Sequence, residues 1–94
     1  MKNMDQANNS KKKNVAIYTT PSCVYCRMTK EFFKKNRIEY KELNVATDLK
    51  AREEMIHLSG QLGVPVIAIG NDIVIGFDQP KLTELLELKP AGKT

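Results

Sequence analysis

Apolar side chains recur along this chain with two periods, and the switches between them predict its elements. "VAIYTT", Val15 to Thr20, is a dense β-branched and aromatic run, the composition of a buried strand. After Pro21 and Ser22 the period lengthens. Val24, Met28, Phe32 and Phe33 recur at helical spacing, Lys30, Glu31, Lys34 and Lys35 fill the opposite face, and Asn36 marks a stop. From Ile38, "IEYKELNV" alternates apolar and polar residues, which is strand behaviour. Thr47 or Asp48 then offers a side-chain oxygen to the orphan amides of a second helix, whose stripe is Ala51, Met55 and Leu58. Gly60 sits where a helix ends in a left-handed residue.

"VPVIAIG", Val64 to Gly70, and "DIVIG", Asp72 to Gly76, predict two more strands joined by a tight turn, an antiparallel hairpin. A last helix starts near Asp78, with Pro80 in its first turn and Leu82, Leu85 and Leu86 facing inward; Pro90 and Gly92 end regular structure. The order β-α-β-α-β-β-α predicts an α/β domain: a four-stranded mixed sheet flanked by three helices. Strands joined by crossover helices form parallel pairs, and the hairpin adds an antiparallel edge.

Composition changes this picture only at the ends. The chain has 94 residues, enough for one small domain, and 41% hydrophobic with 28% charged residues is ordinary for a globular protein. The net charge of +4 is uneven. Residues 1–13 carry four lysines against Asp5, a balance of +3, which leaves +1 on the rest. Residues 1–13 therefore read as a solvated, disordered basic tail, 14–90 as the domain and 91–94 as a C-terminal tail. No aromatic residue interleaves with those lysines, so nucleic acid is not expected as a partner. No apolar run approaches a membrane span, and the N-terminal stretch lacks the apolar middle of a secretory signal. The cytoplasm is the expected location and a monomer the expected state.

The chemistry lies in "TTPSCVYCRMTKEFF", which holds the only two cysteines, Cys23 and Cys26. Residues three apart share a helix face, and Cys23 falls at the helix entrance. Four backbone N–H groups there lack intrahelical acceptors, and the macrodipole adds partial positive charge. A thiolate is an anion and gains from both. Cys26, one turn deeper, is expected to be buried and to keep its proton. This asymmetry assigns attack on a disulfide to Cys23 and resolution of the mixed disulfide to Cys26. Arg27 adds charge nearby or is a solvated helix residue. A structural bridge over so short a loop restricts the unfolded chain little. Structural zinc wants four ligands, and two cysteines with His57 fall short, so no metal site is expected. C-x-x-C beside a βαβ pattern instead points to redox exchange.

A second signal is "GVPV". Pro65 at the head of an apolar run belongs at a strand's first residue, and the Val64–Pro65 bond can be cis at little cost. A cis bond there leaves the amide and carbonyl of Val64 pointing outward, available to an extended substrate.

With both motifs placed, the chain from about Val15 to Leu88 resembles the thioredoxin superfamily and, within it, the glutaredoxin-like branch. The resemblance implies a thioredoxin-like fold, a cis proline facing the active site, and no tightly bound organic cofactor. Dithiol glutaredoxins usually carry C-P-Y-C; this chain keeps Tyr25 and has Val24 for the proline. Where glutaredoxins place a Gly-Gly pair and acidic residues to hold glutathione, this chain reads Gly76, Phe77, Asp78. "GF" before a helix, with C-V-x-C, looks more like NrdH-redoxins, reduced by thioredoxin reductase and donating electrons to ribonucleotide reductase. The expected substrates are protein disulfides, contacted by Tyr25, Val64, Pro65, Gly76, Phe77 and Asp78. The alternatives are a glutathione-dependent glutaredoxin, in which glutathione is the reductant, and a metal or iron–sulfur binding module using the two cysteines.

Overall fold

The computed structural model describes residues 14–88. The basic tail, Pro90, Gly92 and residues 91–94 lie outside the described residues. The elements follow the expected order: β1 (Val15–Thr19), α1 (Val24–Lys35), β2 (Lys41–Asn44), α2 (Leu49–Ser59), β3 (Val66–Ile69), β4 (Asp72–Ile75) and α3 (Gln79–Leu85). The sheet order is β2-β1-β3-β4. β1 and β2 are parallel, joined through the α1 crossover that a parallel pair needs, with Ile17 opposite Glu42 and Thr19 opposite Asn44. β3 and β4 form the antiparallel hairpin.

One expectation fails here. α2 does not add a second parallel pair: β3 runs antiparallel to β1, Tyr18 facing Val66. The α2 connection returns the chain to the end of the sheet where β1 stops, so β3 starts beside the exit of β1. The start of α1, the head of β3 and the end of β4 thereby meet at one end of the sheet.

Each face of the sheet is covered. On one side Val15, Ile17, Ile67, Ile69 and Val74 pack with Phe32 and Phe33 of α1 and Leu82 and Leu86 at α3. On the other, Tyr18, Val45 and Val66 pack with Ala51 and Met55 of α2. Alternate strand residues point to opposite faces, which is why both carry apolar side chains. Burial of Tyr18 also pushes its phenol pKa up, with Glu54 adding to the effect.

One boundary and two apolar stripes depart from expectation. β2 begins at Lys41, because residues 36–40 are spent leaving α1. Asn36 caps the helix with its side chain on the carbonyl of Phe32 (2.9 Å), Arg37 takes a positive φ of 59°, and the Ile38 amide reaches back to Phe33 (2.8 Å). The stripe of α1 is also rotated. Val24 and Met28 are 59% and 39% exposed, whereas Cys26 and Thr29 are buried beside Phe32 and Phe33. Hydropathy undervalues Thr29, yet its hydroxyl donates to the Tyr25 carbonyl (2.8 Å) and is buried with its polar group satisfied. Leu58 of α2 is likewise exposed.

Candidate active site

Cys23 is the N-cap of α1, with extended backbone (φ −91°, ψ 115°). Its sulfur accepts the Cys26 amide at 3.0 Å, and its amide donates to the Thr20 carbonyl at 3.4 Å. Cap geometry follows from Pro21-Ser22, which ends β1 and lets the first turn start with its amides unpaired. The Cys23 sulfur thus fills the position that a serine or aspartate oxygen holds in an ordinary cap. A hydrogen-bond donor aimed at sulfur stabilises negative charge on it.

Cys26 differs in every respect. It is 1% exposed. Burial, reinforced by its hydrogen-bonding neighbour Cys23, pushes its thiol pKa up from 9.0 to about 12; a backbone hydrogen bond from Thr20 and the charge of Lys30 oppose the rise. Both cysteines are free thiols. The pair therefore consists of a partly exposed sulfur with a donor on it and a shielded sulfur that holds its proton. Arg27 and Tyr25 stand outside on α1, Tyr25 60% exposed.

The head of β3 lies beside this turn. The Val64–Pro65 peptide bond is cis. Pro65 is fully buried and accepts the Gly76 amide on its carbonyl at 2.8 Å, tying β4 to the strand head. Val64 is half-buried, and neither its amide nor its carbonyl bonds to another described residue. Gly76 has φ 84°, and a β-carbon there would meet nothing within 4 Å. Phe77 turns inward, its ring edge-on to Phe32 at 5.9 Å between centroids. Asp78 caps α3, accepting the Lys81 amide at 3.2 Å.

Of the expected contact residues, Val64 and Gly76 line the open side of this end of the sheet and Tyr25 stands exposed on the first turn of α1. Pro65 is buried and Phe77 packs against Phe32. Among the described residues, no three His, Cys, Asp or Glu side chains cluster as a metal site would require, and His57 is exposed on α2. A feature the sequence did not reveal is a chain of contacts on the α1 face of the sheet. The Thr19 hydroxyl and the Lys30 ammonium both donate to Glu42 Oε2, at 2.9 and 2.8 Å. The hydrogen bond that Lys30 donates to Glu42 holds the Glu42 pKa down and the Lys30 pKa up.

A mixed four-stranded sheet with helices on both faces and a cysteine pair opening its first helix defines a thiol–disulfide oxidoreductase of thioredoxin-like fold. The glutaredoxin family model matches residues 15–74, and the chain belongs to the glutaredoxin family. It is 47% identical over 73 residues to a glutaredoxin-like 8.6 kDa protein from a rubredoxin operon of Clostridium pasteurianum, covering 78% of this chain and 97% of that one. Among solved structures it is similar to the thioredoxin-like protein BC3987, with TM-score 0.73, 33% identity, and coverage of 77% of this chain and 99% of that one. It is also similar to NrdH-redoxin from Escherichia coli, a glutaredoxin-like protein described as having a thioredoxin-like activity profile. That match has TM-score 0.66 and 28% identity, covering 83% of this chain and 97% of the other.

Proposed function

We propose that the protein reduces protein disulfides through Cys23 and Cys26 in two exchanges. The Cys23 thiolate attacks a substrate disulfide, forming a mixed disulfide and releasing one substrate thiolate. The Cys26 sulfur, having lost its proton to solvent, then attacks Cys23. That step closes the intramolecular disulfide and releases the second substrate thiolate, which takes up a proton. The observation that carries this reading is the placement of Cys23 as helix cap, its sulfur receiving an N–H, with Cys26 buried one turn on.

The unpaired amide and carbonyl of Val64 support an extended peptide as substrate, one that adds to the sheet as a short strand. The recycling reductant in this reading is thioredoxin reductase, and ribonucleotide reductase is one acceptor of the electrons. Phe77 in place of a second glycine, and the likeness to a protein with a thioredoxin-like activity profile, support that assignment. No tightly bound organic cofactor takes part, and the protein works as a cytoplasmic monomer. The second reading is recycling by glutathione, favoured by the open space over Gly76, where a ligand can approach the backbone.

The test is recycling of the oxidised protein by each reductant alone. Reduction by thioredoxin reductase with its nicotinamide donor, and slow reduction by glutathione, is the expected result; rapid turnover with glutathione alone reverses it. Cys23→Ser is expected to abolish turnover, while Cys26→Ser accumulates a mixed disulfide visible by mass spectrometry. A disulfide trapped on Cys26 instead would refute the assignment.

A further inference from the structure

Glu42 sits opposite Ile17 in the parallel register, and Ile17 packs in the cluster that contains Phe32 and Phe33 of α1. Thr19, two residues on, shares that face. One carboxylate oxygen of Glu42 receives both the Thr19 hydroxyl and the Lys30 ammonium. Thr19 is 2% exposed, so its hydroxyl ties the cluster to the core, while Lys30 and Glu42 themselves face solvent, at 30% and 38% exposure. Lys30 follows Cys26 by four residues and so lies one turn along on the same side of α1. A lysine on a helix surface ordinarily spreads its charge over many rotamers; this one is held.

The two-step exchange creates a need at this spot. Cys26 must become an anion to resolve the mixed disulfide, and it is the sulfur hidden from water. The Lys30 charge is the smallest of the influences on Cys26, after burial, Cys23 and the Thr20 backbone, and it acts in the direction that favours thiolate beside ammonium. The other titratable neighbours are Cys23 next to Cys26, Tyr40 facing Lys30 from the segment before β2, and Lys34 facing Glu42.

We propose that Lys30, tethered by Glu42 and Thr19, is the counter-charge for the Cys26 thiolate during the resolving step. The inference rests on the roles given to Cys23 and Cys26 above. Lys30 transfers no proton and stays an ammonium throughout. The Cys26 proton leaves to solvent, the Cys26–Cys23 bond forms, the bond from Cys23 to the substrate sulfur breaks, and the departing thiolate is protonated from water. Lys30 acts only on the energy of the transient anion, and Glu42 and Thr19 are positioning residues for it.

The test follows the reduced full-length protein mixed rapidly with excess dithiobis(nitrobenzoic acid). A first coloured thiolate reports attack by Cys23, and a second, released intramolecularly, reports Cys26. Lys30→Met is expected to slow the second release about three- to tenfold at neutral pH and to move its pH profile alkaline by roughly half to one unit. The first release should stay within about twofold, and Lys30→Arg and Lys35→Met should restore or retain both phases. Unchanged second release and profile in Lys30→Met overturn the proposal. So does equal slowing by Lys35→Met, or Lys30→Arg behaving like Lys30→Met. A wild-type protein without the first release would instead strike the two-step exchange, and the inference would fall with it.

Discussion

The contrast between Cys23 and Cys26 comes from one helical turn. Three residues of helix carry the chain from a cap facing solvent to a position under the helix. Cys26 thus keeps its proton up to about 12, against an ordinary value of 9.0. Between those values the unfolded chain has lost a proton that the folded chain retains, so stability falls as pH rises through that window. The reduced wild-type protein should therefore lose stability above pH ~9 more steeply than Cys26→Ala. Urea unfolding of both along a pH series checks this, and parallel slopes would refute it. The positions of both cysteines were legible because cap and first turn are adjacent in sequence. The Lys30–Glu42–Thr19 cluster was not, because its members lie 12 and 23 residues apart and meet only through the β1–β2 register. Lys30 read from sequence alone belongs with Glu31, Lys34 and Lys35 on a solvated face.

At the scale of elements, the helix ends show how backbone conformation departs from residue preference. α2 ends at Gly60 with φ 74°, as its sequence position announced. α1 and α3 instead pass through Arg37 and Glu87 at φ 59° and 58°, each followed by a residue whose amide reaches back to the last turn. Nothing in arginine or glutamate signals a left-handed residue, and for an L-amino acid that conformation costs about 1–2 kcal/mol. Arg37→Gly is therefore expected to stabilise the protein by about 0.5–1 kcal/mol, after the greater chain entropy of glycine is subtracted. A chemical denaturation midpoint that rises checks it; one that falls shows that the Arg37 side chain matters more than its backbone. The exposure of Val24 and Met28 was illegible for a different reason. Two apolar stripes were compatible with the spacing, and the correct one runs through a cysteine and a threonine.

For the whole molecule, the order of elements and the covering of both sheet faces were readable from periodicity. The direction of β3 was not, since a helical connection can return a strand either way. Phe33 shows how the layers depend on one another: it is fully buried on α1, 5.2 Å between ring centroids from Tyr40 before β2, and clusters with β1, β3 and α3. Phe33→Ala should cost about 3–5 kcal/mol, a large part of the stability of a domain this size. Leu62→Ala, at a position 57% exposed, should change it by less than about 0.5 kcal/mol. Paired thermal melts of the two variants distinguish the core from its margin. The depth of Cys26 has a last consequence, for survival under peroxide. An oxidant arriving from solvent meets Cys23 first, and the sulfenic acid formed there has a thiol waiting one turn away to condense with it. The damage then closes into a reducible bond before it can proceed to the sulfinic acid, so the arrangement that serves the proposed exchange also shelters Cys23 from irreversible loss.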